Sequence, residues 1–191
     1  MQDHTWYRPG AEPEEGAQDT RPGFRIRMAS LIERGAFDAE LEGRHQASPV
    51  PAFVMLDTAI AGVHALAGDE AAELEELLRG FHGDDTRSEV SPEERAQIAE
   101  IEVILAKSWP AYRQLVEQNA RYRNLMPLLA FQRFIDDFDK VTGTDGKPVE
   151  FERDKSGAIP DSVLRRIHPA LIYAAGNRAY NFQYAAGEEK N

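Results

Sequence analysis

Apolar residues recur at helical spacing over most of this chain, in runs separated by glycine, proline and acidic patches. Phe24, Met28, Leu31 and Ile32 share one helical face, and Gly35 is placed to stop that helix. Phe37 and Leu41 predict a second short helix that ends near Gly43, and residues 45–50 form a connector. Pro51 opens a periodic stripe of Phe53, Leu56, Ile60, Val63 and Ala67, closed by Gly68. Asp69 is a good N-cap for the next helix, whose apolar side carries Leu74, Leu77, Leu78 and Phe81 and whose other side is acidic. Ser91-Pro92-Glu93-Glu94 has the form of a capping box with proline at the first helical position, and Ile98, Ile101 and Leu105 follow as the buried stripe.

The second half of the chain continues in the same way. Pro110 starts a helix that presents Tyr112, Leu115, Val116, Asn119, Tyr122 and Met126, and Pro127 should kink or break it. Leu128, Leu129, Phe131, Phe134, Ile135 and Phe138 are apolar on more than one side, which predicts a central helix. The one β signal follows: Val141-Thr142 and Val149-Glu150-Phe151 flank Thr144-Asp145-Gly146, a turn sequence suited to a hairpin. Pro160-Asp161 and His168-Pro169 then open two last helices. The expected fold is mainly α, a compact multi-helix bundle with one small β-hairpin near residues 140–152. The domain is expected to cover residues 23–191, in sub-halves of about 24–106 and 110–191. Residues 1–22, rich in proline, glycine and glutamate, predict a flexible acidic arm whose aromatic pair Trp6-Tyr7 would anchor it on a partner or on the body.

Charge and composition narrow the function classes. The chain has 191 residues, with 22 Lys+Arg against 33 Asp+Glu for a formal charge of −11, and no cysteine. A chain this acidic repels phosphate backbones, so nucleic acid is not an expected ligand. Without cysteine there is no disulfide framework, thiolate metal site or cysteine nucleophile. The opening Met1-Gln2-Asp3-His4 lacks a basic segment followed by an apolar core, which predicts no secretory leader, and no apolar run is long enough to predict a membrane span.

Candidate chemistry is sparse. The five histidines show no His-Glu-x-x-His spacing. His82-Gly83-Asp84-Asp85 reads as a polar loop in preference to a metal site. Asp136, Asp137, Asp139, Glu150 and Glu152 crowd around the hairpin, but Val141 and Gly143 occupy positions where a calcium loop needs oxygen ligands. Gly143-Thr144-Asp145-Gly146-Lys147 lacks the hydroxyl residue of a phosphate loop, since Pro148 follows. No catalytic residue, metal ligand or cofactor is expected, and the chain does not read as an enzyme. What remains is aromatic: Tyr112, Tyr122, Phe131, Phe134 and Phe138 are the candidates for lining a groove that takes a partner helix.

A resemblance extends this picture. Tyr112-Arg113-Gln114-Leu115-Val116, Asn119, Tyr122, Met126-Pro127 and the segment Phe131 to Phe134 are followed by Asp145-Gly146-Lys147-Pro148-Val149, Gly157 to Leu164 and a terminal Glu188-Glu189-Lys190-Asn191. Together, over roughly residues 112–191, they resemble the tail assembly chaperones of long-tailed bacteriophages. The family often has a Gly-Trp-Glu-Gly-like step after its central helix, where this chain has Asp136-Asp137-Phe138-Asp139-Lys140. The resemblance implies a non-enzymatic role in virion morphogenesis, in the host cytoplasm. The implied partners are the tape measure protein and the tail tube protein, with self-association a further option and no role for nucleic acid or membrane. The alternative is a permanent virion component of the neck, capsid or tail, which an extended arm bearing Trp6 would suit.

Overall fold

The computed structural model describes residues 4–13, 18–82 and 91–184. The fold is mainly α. Among the described residues, seven α-helices, α1 (Leu31–Ala39), α2 (Ala52–Leu66), α3 (Ala71–His82), α4 (Pro92–Ser108), α5 (Pro110–Phe134), α6 (Asp161–Leu164) and α7 (Pro169–Tyr184), accompany three strands, β1 (His4–Tyr7), β2 (Gly23–Arg27) and β3 (Ile135–Asp139). The chain forms two compact units: residues 1–45 with 123–191, and residues 46–122. This division differs from the expected split near residue 108, because α5 supplies its first half to one unit and its last turns to the other.

In the first unit a three-stranded antiparallel sheet, in the order β1-β2-β3, replaces the expected helix at Phe24 and the expected free arm. Phe24 and Ile26 alternate with Arg25 and Arg27, so the segment has a strand's period of two, with its apolar side completely buried. The N-terminal residues are an edge strand, pairing His4 to Arg27 and Tyr7 to Phe24. Side chains fasten this strand to the far side of the sheet: the Arg8 guanidinium donates to both carboxylate oxygens of Asp139, at 2.8 and 2.7 Å. A bidentate pair of this kind is stronger and more directional than a single charged contact. The expected flexible arm is therefore corrected over its described part, while residues 14–17 lie outside the described residues.

Strand β3 shows why its sequence looked helical. Ile135 and Phe138 are three residues apart, which suits a helix face, yet both are buried on the same side of the sheet. A bulge allows this: Arg25 pairs with Asp137 and Ile26 with Ile135, so Asp136 is the extra residue. Its carboxylate accepts from Arg25 Nε at 2.8 Å. The expected hairpin at 140–152 contracts to one antiparallel bridge, Thr142 with Pro148, around a turn in which Gly146 has φ of 78°.

Ser30 caps α1 in a capping box with Glu33, and the helix runs through Gly35 to Ala39 instead of stopping. Leu31 and Ile32 face solvent, and Phe37 supplies the burial. The aromatic core of this unit links Phe24 to Phe131 at 5.6 Å, Phe37 to Phe134 at 5.0 Å and Phe138 to Phe151 at 5.2 Å between ring centroids. Helix α7 packs against β2 and β3, and its small residues Ala175, Gly176 and Ala179 are all buried. Gly176 is required there: a Cβ at that position would lie 2.0 Å from the carbonyl oxygen of Pro127. Pro127 itself sits inside α5, which continues through it to Phe134.

The second unit is α2, α3 and α4 with the first turns of α5. Ile60, Val63, Leu78, Ile98, Ile101, Leu105 and Tyr112 form its core. Ser91 and Glu94 close the expected capping box at the start of α4. Gly68, with φ of 57°, ends α2 as expected, whereas Asp69 lies within a short 3-10 turn, Gly68–Glu70, before α3. Residues 83–90, including most of the His82-Gly83-Asp84-Asp85 loop, lie outside the described residues.

Candidate functional site

The five aromatic candidates do not converge on a groove. Tyr112, Phe131, Phe134 and Phe138 are only 3, 0, 1 and 7 % exposed, so they are core side chains and present no ring to a partner. Tyr112 belongs to the core of the second unit, and the three phenylalanines to the first. Tyr122, half-buried on α5, falls in the second unit. Each large ring buries 150–250 Å2 on folding, and that gain keeps such residues inside unless other aromatics fill the core first. Burial also pushes the Tyr112 hydroxyl well above its ordinary range, with the Glu102 carboxylate adding to the effect.

The arm anchor lies on the body of the protein. Trp6 sits in β1 opposite Arg25, is 47 % exposed, and has the Arg8 guanidinium 5.5 Å from its ring centroid. Tyr7, half-buried, pairs with Phe24. Around them the charges are closely matched. The Arg8 hydrogen bond holds the Asp139 carboxyl below its usual range, and the Arg21 hydrogen bonds hold Asp19 far below it. Hydrogen bonds from Arg27 and then from the Ser30 amide lower Glu33 to about 2. Of the hairpin carboxylates that sequence alone left crowded together, Asp139 pairs with Arg8, and Asp136 and Asp137 with Arg25; among the described residues no group of three or more His, Asp or Glu is placed to hold a metal ion.

An open apolar cleft lies in the second unit. Leu66 at the end of α2, Leu74 on α3 and Ile104 on α4 border a cleft of about 240 Å3, floored by Val63, Ile101 and Leu105. Its one charged lining residue is Glu70, in the turn before α3. Leu66 and Ile104 remain 48 and 49 % exposed, and Val103 beside them is also exposed. A volume of this size falls below the roughly 300–1,000 Å3 of small-molecule sites, and the wall offers almost no polar group to orient a metabolite. It has room for one or two apolar side chains.

Helix α3 is braced against α2 away from this mouth: His64 Nε2 lies 2.6 Å from Glu75, which also accepts from Arg79 Nε at 2.8 Å. These hydrogen bonds, the His64 one first, lower the Glu75 carboxyl below its ordinary value. His64 is therefore an exposed pairing residue. The α2 and α4 stripes read from sequence, apart from exposed Phe53, are the floor and core beneath the cleft. Leu66 and Ile104 lie one position off those stripes and were missed. Their signal was the density of the runs: Ile101, Val103, Ile104 and Leu105 are four apolar residues in five, more than one buried face uses.

Comparison with protein-family models, with curated proteins and with solved structures finds no match to this chain. Among the described residues no helix is long and apolar enough to cross a membrane.

Proposed function

We propose that this chain is a non-enzymatic bacteriophage virion-assembly protein, a tail assembly chaperone that covers the apolar stripe of the tape measure protein in the host cytoplasm and helps tail tube subunits assemble. The observation that supports this function is the open apolar cleft between α2, α3 and α4, with Leu66 and Ile104 half exposed at its mouth. A long helical client with heptad apolar residues needs that stripe covered until it polymerises, and a helix laid in a groove covers it reversibly. Burying the exposed halves of Leu66 and Ile104 contributes about 1 kcal/mol each, before the client's own side chains are counted. These two side chains alone fall well short of the roughly 8 kcal/mol that micromolar binding requires, so the client's own side chains supply most of the affinity and the contact is exchangeable, not a permanent clamp. The alternative, a permanent virion component, drew on a free arm, and the described arm is a strand of the chain's own sheet.

The test is co-expression with the proposed client, the tape measure protein. Wild-type chain should raise the soluble fraction of that client, and the double variant Leu66→Asp, Ile104→Asp should not. Stoichiometric presence of the chain in purified particles would reject the chaperone function in favour of the structural one.

A further inference from the structure

Charge is divided very unevenly between the two units. Residues 46–122 contain 14 Asp+Glu and 6 Lys+Arg, a net −8 of the chain's −11, whereas the other unit contains 19 against 16, a net −3. The apolar cleft therefore opens on the strongly acidic unit. Carboxylates sit beside its mouth on both sides. Glu70 lines it and, with exposed Glu73, lies within one turn of Leu74; exposed Glu100 lies one turn before Ile104 on α4. One cation, Lys107, follows Ile104 by a turn at the far end of α4.

We infer that the cleft selects one occupant chemistry: an amphipathic helix of which two apolar residues, spaced i and i+3 or i+4, enter between Leu66, Leu74 and Ile104, and whose flanking positions carry lysine or arginine that meet Glu70, Glu73 and Glu100. This inference rests on the cleft being the client surface proposed above, and it adds which clients are accepted and how the match is made. The apolar floor supplies the adhesion. The acidic rim supplies selection, since a helix with acidic flanks meets like charge on both sides of the groove, whereas a basic one is steered into it. The same rim disfavours a second copy of this chain as the occupant, because two acidic units would have to meet face to face.

The experiment measures fluorescence anisotropy of labelled helical peptides about five turns long, which share one apolar stripe and differ only in flanks of Lys, Gln or Glu. The Lys-flanked peptide should bind at least about tenfold more tightly than the Glu-flanked one at low salt, and the gap should close toward about twofold near 0.5 M salt. Reversal of the rim with Glu70→Lys and Glu100→Lys, both at exposed positions, should invert the preference, and Ile104→Asp should abolish binding of all three. Circular dichroism melts of each variant confirm that the fold is kept. Equal affinity for the three peptides, with loss on Ile104→Asp, would overturn the charge selection and leave the cleft as the client surface. No binding by any peptide would overturn both, while co-expression would still report on the chaperone function by itself. A Lys-flanked peptide with a scrambled stripe that bound as well would reduce the effect to bulk charge and overturn the inference. So would a dimer in light scattering that Ile104→Asp dissociates.

Discussion

Replacing Gly176 by alanine should destabilise this protein, against the usual effect of that change in a helix. In the interior of α7, alanine is normally worth about 1 kcal/mol over glycine, because glycine loses more backbone freedom on folding. Here the added Cβ would lie 2.0 Å from the Pro127 carbonyl oxygen and 2.7 Å from its carbon, where real Cβ atoms essentially never come within 3.0 Å. Relief requires about 1 Å of separation between α7 and the Pro127 turn of α5, and the clashing atoms are backbone, which no rotamer change can move. Overpacking of this kind costs typically 1–3 kcal/mol, occasionally more. Because the clashing atoms are backbone, the upper end of that cost applies, and with the propensity gain subtracted the net loss should be about 2 kcal/mol, or roughly 4–8 °C in Tm for a chain of this length. Gly35→Ala in α1 is the matched control, since nothing lies within 4 Å of its Cβ position and its backbone is helical. It should raise Tm by about 2–4 °C. Thermal denaturation followed by circular dichroism reads both. A Gly176→Ala protein at least as stable as wild type would refute the close packing of α7 on Pro127.

Two further outcomes follow from the first unit. Gln183 is fully buried, accepts from the Ala29 amide at 2.7 Å and donates to the carbonyl oxygens of Arg27 and Ala179 at 3.0 and 3.1 Å. Gln183→Leu should therefore leave the Ala29 amide and the Arg27 carbonyl unpaired next to β2 and cost about 2–4 kcal/mol in urea denaturation, while a loss below about 0.5 kcal/mol would contradict the bonding. Acid should weaken the same unit. The Asp139, Asp19 and Glu33 carboxyls are held below their ordinary values of 3.8, 3.8 and 4.5 when folded, so the unfolded chain takes up protons first. Their stabilisation is complete above about pH 5 and is lost as pH falls toward and below about 2. Urea midpoints should fall over that range, and Asp139→Asn should shallow the fall. A midpoint that rose on acidification would have the wrong sign.

Much of the helical layout was legible because apolar spacing and caps act locally. The Ser91-Pro92-Glu93-Glu94 start, the Gly68 end of α2 and the Ile98, Ile101 and Leu105 stripe all follow from residues within a few turns of one another. The sheet was hidden because its pairings join distant segments, and because the bulge at Asp136 put Ile135 and Phe138 at a helical spacing. The Ser30 and Glu33 box was present in the sequence and was masked by assigning Phe24 and Met28 to the same helix. Aromatic content misled the search for a site. Phe131, Phe134 and Phe138 were drawn into the core, and the open surface fell to aliphatic residues, Leu66 and Ile104, that sit at the margins of their stripes. Gln183 carried no signal, since a single glutamine near the end of a helix acquires its role only when α7 meets the strand-to-helix step at Arg27 to Ala29.

A photo-crosslinking amino acid placed at position 104, on the cleft, and at position 32, the most exposed apolar site of the other unit at 84 %, gives the most direct discrimination. Irradiation during co-expression with the proposed client, a tape measure protein, should join the two chains from position 104 and not from position 32. Crosslinking from position 32 alone, or equally from both, would contradict the assignment of client binding to the α2, α3 and α4 cleft.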